Sequence, residues 1–369
     1  MESFIQLTSG PAPRRIHRDV GHLKDDELGR YGFFGRTAHL YRRNDPTRYR
    51  TEGDLRFVDT DTFGLHPSDE ADPAGEPLLM FHNQDCRILL SRRQAPMPHL
   101  VRNVDGDELW FIHAGSGELE TEFGRLRYRP GDYVYLPKGA TYRQVPDEQT
   151  HALIIEAVEE FRAPKGGLLG RFFPFDSSLV TTPQAEAFEG DGRDEYEVRL
   201  RTREGRTSLF YPFHPLDAEA WKGDNVPFVF NIEDYDVINS DTVHLPPTVH
   251  LFMEATGVYV LNFLPRPAEG PRGVERIPWY HRNADYDEVA FYHGGSVFGV
   301  DMPAGLISLA PQGMHHGIPE RARERSRRRH DEDGRVEWQV IAIDVRRRLV
   351  PAQVMIAATP VEVPEEVRV

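Results

Sequence analysis

Two imidazoles and one carboxylate in the C-terminal part of the chain stand at separations that could hold a metal ion: His281, Glu288 seven residues later, and His316. Such a set occupies one face of a six-coordinate ion and leaves about three positions open, the arrangement used by mononuclear non-haem Fe(II) oxygenases. Gly295, Gly305, Pro311 and Gly313 punctuate the intervening residues. Glycine supplies positive φ and proline fixes a turn, so these positions have a conformational purpose apart from any chemistry. The same turns occur once earlier, as Glu108-X6-Gly115 and Gly131-X5-Pro137-X-Gly139-X2-Tyr142. There no histidine lies four to six residues before Glu108, and Tyr142 stands where the later copy has His316. One copy is equipped for a metal; the other is expected to be metal-free and structural. A single histidine is more often a polar core or rim residue than a ligand, but three ligand types on one turn framework favour metal.

Elements that position such groups must obey a period of two, because alternate residues of a strand face opposite sides of a sheet. His281 and Asn283 share a parity, and a short turn over Ala284-Asp285-Tyr286-Asp287 feeds a strand in which Glu288 and Tyr292 point the same way. His293 has the opposite parity and reads as an outward or interface residue. Short apolar runs between Pro77 and Val158, such as CRILLS, ELWFIHAG and HALIIEAVE, recur at roughly ten-residue spacing, the mark of a sandwich or barrel. A second series follows, including HLFMEATGVYVLNFLP, DEVAFYHGG and VEWQVIAIDV. The fold class expected is mainly β, with two barrels. The boundaries expected are an arm over 1–75, a barrel over 76–165, a bridge over 166–225 and a second barrel over 226–369. The arm carries an apolar island around Phe33-Phe34, and Glu320 to Arg329 forms a charged block expected to be a solvated helix or mobile loop.

Composition narrows the partners. With 44 Lys and Arg against 59 Asp and Glu, the formal net charge of -15 excludes phosphate-backbone binding as a main function. Nucleic acid and membrane are not expected as partners. The single cysteine, Cys86, forms no intramolecular disulfide, and no signal-peptide pattern or long apolar run is present, so a cytoplasmic location is expected. No G-X-S-X-G elbow and no H-E-X-X-H are found, which removes two hydrolase classes.

The turn framework resembles the two signature motifs of the cupin superfamily, here His281-X-Asn283-X4-Glu288-X6-Gly295 and Gly305-X5-Pro311-X-Gly313-X2-His316. Asn283 stands where many cupins carry a second histidine. Both barrels are then double-stranded β-helices of the jelly-roll type. Among two-barrel cupins the chain resembles homogentisate 1,2-dioxygenase. Asn103-Val-Asp-Gly-Asp-Glu-Leu-Trp110, Thr121-Glu-Phe-Gly-Arg-Leu126, Trp221-Lys-Gly-Asp-Asn-Val-Pro-Phe228, Val237-Ile-Asn-Ser240, Phe263-Leu-Pro-Arg266 and Trp279-Tyr-His-Arg-Asn283 carry that resemblance over most of the chain.

The resemblance implies an Fe(II) enzyme that opens a hydroquinone-type ring with O₂ in the breakdown of tyrosine and phenylalanine, with His281, Glu288 and His316 as iron ligands. It places His244 beside a family histidine that acts as a base toward a ring hydroxyl, a role suited to a near-neutral pKa. It also implies a small aromatic substrate and assembly beyond a monomer. Two departures concern the substrate: Ala310 and Val297 fall where the family has a histidine and a tyrosine that contact it. Tyr292, His315 and Asn283 are the candidates to line the pocket instead. The rivals are a related cupin oxygenase with another reaction, such as epoxidation, on a different phenol, and a non-catalytic two-barrel binding protein.

Overall fold

The computed structural model describes residues 7–18, 20–30, 35–164, 176–235, 237–238, 250–268, 279–297, 300–317, 319–329 and 334–358. His244 and Phe33-Phe34 lie outside the described residues. Strands dominate, and they close two barrels that stand back to back.

The N-terminal barrel pairs two sheets. One has seven strands, in the order Phe228–Asn231, Asp132–Leu136, Asp107–Ala114, His151–Ala157, Cys86–Ser91, Leu78–His82 and Val350–Pro351. The other has six and contains Leu100–Asn103, Thr141–Pro146, Gly117–Thr121 and Gly124–Tyr128. Tyr196–Arg201 and Arg206–Tyr211, from the stretch read as a bridge, extend this second sheet through a parallel pairing with Leu100–Asn103. Tyr196 and Val198 of the first of these strands are buried, while Arg206–Tyr211, at the sheet edge, has no buried residue. Side chains on the inward faces, among them Val101, Trp110, Ile112, Val134, Tyr142 and Ile154, form one packed core.

The C-terminal barrel is built on a six-stranded sheet ordered His250–Ala255, Val258–Phe263, Gln339–Val345, Asp287–Gly294, Leu306–Ala310 and Val58–Asp61. A three-stranded sheet completes it, with Tyr280–Asn283 parallel to Lys24–Gly29 and Lys24–Gly29 antiparallel to Thr37–Arg42. The N-terminal arm therefore supplies three strands to the later barrel.

Glu288, Ala290 and Tyr292 point into the C-terminal barrel, while Val289, Phe291 and His293 point toward the other barrel, as the period of two requires. Phe111, Tyr133, Leu153 and Ile155 meet Val289, Phe291, Ile307 and Ile343 in a shared apolar layer. His293 sits in that interface, its Nδ1 2.9 Å from Nδ1 of His113, the residue at the same place in the first barrel. Tyr133 also donates to Asn262 Oδ1 across it at 2.6 Å.

The charged block is a helix over Glu320–Arg328 with one face buried, which corrects the expectation of a wholly solvated segment. Ala322, Arg323 and Ser326 fall on that face, and the Arg323 guanidinium lies 4.5 Å from the centre of the Tyr280 ring. Arginine can pack its stem and planar head on an aromatic, so a charge-rich sequence does not by itself imply solvation.

Candidate metal centre

Backbone geometry brings His281 and His316 together before any side chain is considered. Each donates its N–H to the other's carbonyl at 2.9 Å, forming an isolated bridge between two otherwise separate segments. Gly313 N–H donates to the Asn283 carbonyl at 2.8 Å, and Asp287 Oδ1 accepts from Gln312 N–H at 2.9 Å, so the Pro311-X-Gly313 turn is clamped to the strand bearing His281. Asp287 Oδ2 takes a further bond from Leu349 N–H at 2.6 Å. The first barrel repeats this clamp: Asp107 accepts from Lys138 and Phe161, and Gly139 donates to the Asn103 carbonyl.

On this frame the three side chains converge. Nε2 of His281 lies 3.6 Å from Glu288 Oε2, and Nε2 of His316 lies 3.5 Å from the same oxygen. The two rings are 4.0 Å apart at their centres, and one donor atom from each residue falls within a 4.8 Å group. His281 Nδ1 contacts the Trp279 carbonyl at 2.9 Å and His316 Nδ1 the Met314 carbonyl at 3.1 Å. A backbone carbonyl on Nδ1 fixes the ring and leaves Nε2 as the ligand atom. His316 Nε2 is buried and makes no hydrogen bond. An orphaned imidazole nitrogen beside a carboxylate is what a metal-binding site presents without its ion.

Electrostatics tie the group together. Burial presses the His281 imidazole down, but the Glu288 carboxylate outweighs that and raises it to about 9. Glu288 is opposed by burial, yet the two imidazoles hold it well below the usual carboxylate range. Burial and the charge of His281 lower His316. Asp344 is the cross-strand neighbour of Glu288, and burial together with the Glu288 charge raises its carboxyl well above normal.

Asn283 Nδ2 donates to Glu288 Oε2 at 3.2 Å, which orients the carboxylate. His315 turns from the triad to Asp26, at 3.2 Å, and to Arg282, while its ring borders the adjoining cleft. Tyr292 shares the face of Glu288 but lies farther along the barrel, within the cluster that includes Phe263 and Trp338, and does not line that cleft. The cleft measures about 480 Å³ and is bordered by Tyr49, Arg56, Phe57, His315, His316 and Met355. Tyr49 donates to the His315 carbonyl at 2.9 Å, and the Phe57 ring centre lies 6.2 Å from that of His316.

Sequence reasoning missed the arm residues and Asp344. The arm offered no local signal, since its role depends on pairing with strands some 250 positions away. Asp344 did offer one: it is the lone acid in the apolar strand QVIAIDV, just as Glu156 is in HALIIEA.

At Glu108, which corresponds to Glu288, the surroundings differ. The Arg201 guanidinium donates to Glu108 Oε1 and reaches Glu156 at 3.4 Å, while Tyr142 and Trp110 donate to Glu108 Oε2 at 2.9 and 2.8 Å. Protein donors fill the position.

A family model described as the homogentisate 1,2-dioxygenase N-terminal region matches residues 83–232. A Saccharolobus solfataricus protein named as a candidate dioxygenase is 27% identical over 344 residues, covering 86% of this chain and 87% of that one. The homogentisate 1,2-dioxygenase of Bradyrhizobium diazoefficiens is 25% identical over 201 residues, 52% of this chain and 44% of its own length. Among solved structures, a cupin 2 conserved barrel domain protein from Leptotrichia buccalis covers 82% of this chain and 100% of its own, at 12% identity and a TM-score of 0.35. Residues 83–232 thus resemble the N-terminal region of homogentisate 1,2-dioxygenase, and most of the chain is similar to a protein named as a candidate dioxygenase.

Proposed function

We propose that the chain is an Fe(II)-dependent dioxygenase that opens a hydroquinone-type aromatic ring. The observation that carries this reading is the convergence of His281, Glu288 and His316 around a buried, unpartnered His316 Nε2. Two imidazoles and one carboxylate suit Fe(II) and leave positions free for other ligands. When bound, iron would supply the redox chemistry that couples an electron-rich ring to O₂.

The chain's own residues do the rest. Asn283 holds Glu288 in place, and the two backbone carbonyls fix the imidazoles, so the ligand set is preorganised. Phe57 and Tyr49 offer aromatic faces to a ring in the cleft, and the Arg56 guanidinium at its border favours a substrate carrying an anionic group. Burial of the triad excludes water from the reacting centre. The family resemblance supports His244 as the base that takes the phenolic proton.

A second reading is favoured by one observation. Ala310 is the register partner of Glu288 and brings no polar group to it, so a cupin oxygenase acting on a different phenol fits the same ligands. The test is anaerobic Fe(II) reconstitution followed by metal analysis and O₂ uptake with homogentisate, gentisate and other hydroquinones. The reading requires iron that is lost in His316→Ala and O₂ consumption with at least one hydroquinone. An iron content in that variant equal to the wild type refutes the ligand assignment; iron without turnover of any hydroquinone refutes ring opening in favour of the second reading.

A further inference from the structure

The strand that carries His281 has a neighbour with its own ligand-type residues. In the three-stranded sheet Glu27 is the register partner of His281 on one side and of His39 on the other. Directly paired residues project to the same face, so His281, Glu27 and His39 form a row. His17, from the segment before this strand, stacks on Trp279 with ring centres 3.7 Å apart. One donor atom each from His17, Glu27 and His39 lies within a second 4.8 Å group. Their side chains are only 5%, 12% and 5% exposed.

Hydrogen bonding within the group does not account for this clustering. His39 Nε2 is 4.0 Å from Glu27 Oε2, beyond hydrogen-bond reach, and it is buried with no hydrogen-bond partner. Behind the ring, His39 Nδ1 lies 2.8 Å from Asp25 Oδ1, and Asp25 Oδ2 is 3.8 Å from His17 Nδ1. A carboxylate on Nδ1 holds an imidazole in the tautomer whose Nε2 lone pair faces a metal. His17 is the one non-glycine residue with positive φ, 56°, among the described residues, a conformation retained where the surroundings fix a side chain in place.

We propose that His17, Glu27 and His39 form a second metal site, taking a divalent first-row transition ion such as Zn(II), and that it ties the segment before Lys24–Gly29 and the two arm strands to one another beside the strand that carries His281. Two imidazoles and a carboxylate, closely buried and backed by Asp25, match the donors of such ions. The site does not touch the cleft, but the arm it braces continues to Tyr49, Arg56 and Phe57, which form part of the cleft wall.

The test strips the full-length protein with a chelator and titrates it with Zn(II) and, separately, Co(II). Bound metal is counted after desalting in the wild type, His316→Ala, His39→Ala and the double variant. Two equivalents in the wild type, one in each single variant and none in the double are expected, and Asp25→Asn should weaken the arm site by about 10- to 100-fold. Folding of His39→Ala is not required, because His316→Ala alone decides: it must keep one equivalent and melt at a higher temperature with Zn(II) than without. No metal in that variant overturns the proposal. One equivalent in the wild type that survives His316→Ala supports the arm site and refutes the His281 triad instead, so the two assignments fail separately.

Discussion

Glu108 and Glu288 occupy the same place in two barrels, each following an Arg-Asn-X-Asp turn, yet one meets a guanidinium and the other two imidazoles. Val101 stands where the later barrel has His281, and Tyr142 where it has His316; these pairs face each other across matching strand contacts. A buried carboxylate needs a positive partner in either case. The first barrel supplies one from its own chain, Arg201, delivered by a strand appended to the barrel sheet. The second leaves its carboxylate to histidines, whose Nε2 atoms can take an exchangeable cation. The same scaffold thus serves structure when its countercharge is covalent and chemistry when it can come and go.

The comparison breaks most visibly at the ligands. His316→Ala or Glu288→Gln should remove one equivalent of iron and cut O₂ consumption on the order of 10³-fold, while the first barrel stays folded. Metal analysis and oxygen uptake check this, and full iron content in either variant contradicts the assignment. Arg201→Met should have the complementary effect: the buried Glu108 carboxylate loses its cation, while Glu156 keeps Arg87, costing about 3–5 kcal/mol of stability without removing a metal ligand. Chemical denaturation reads the loss, and Arg201→Met combined with Glu108→Gln should recover part of it. No change on Arg201→Met would mean that the guanidinium is not the countercharge.

Where the barrels share a turn they should respond alike. Gly115 and Gly295 have φ of 81° and 82°, and an added Cβ would meet Gln149 O at 2.2 Å and Glu337 O at 1.8 Å. Alanine at either position should cost at least about 2 kcal/mol from the left-handed backbone and the clash. Thermal melting of the two variants tests this; a neutral result at one position alone would show that the repeat is not structural.

The smallest effect is on pH. His281 is raised to about 9 in the metal-free chain because Glu288 outweighs the effect of burial. Below that pH a proton occupies the nitrogen a metal needs. Metal affinity should therefore climb by up to about tenfold per unit from near pH 6.5 and level off above 9. Competition with a chelator across that range measures it, and a flat profile would remove His281 from the ligand set.

Much of this was legible in the sequence, and the reason is local. His281, Glu288 and His316 sit within one hairpin-and-turn frame whose glycines and prolines mark the bends, so strand parity alone brings them together. The opposite parity of His293 likewise led to the interface. Arg201 was not legible as a countercharge, because nothing near it in sequence points to Glu108. Glu27, Tyr49 and Arg56 were hidden for the same reason: nothing local to a polar arm points to its pairing with a distant strand. Arg323 was misjudged because composition does not reveal which arginine lies on an aromatic ring.

The parallel pairing of Lys24–Gly29 with Tyr280–Asn283, and the antiparallel pairing of Val58–Asp61 with Leu306–Ala310, set an order on folding. Strands made near the start of synthesis must wait for partners made near its end, and such long loop closures are slow. Most strands of the first barrel, from Leu78 to Asn231, can pair on the ribosome while the arm is still unpaired. The site-bearing barrel is then the last part of the chain to close, so truncations or ribosomal stalling before about residue 310 should yield a folded first barrel with no metal-binding capacity at the His281 centre.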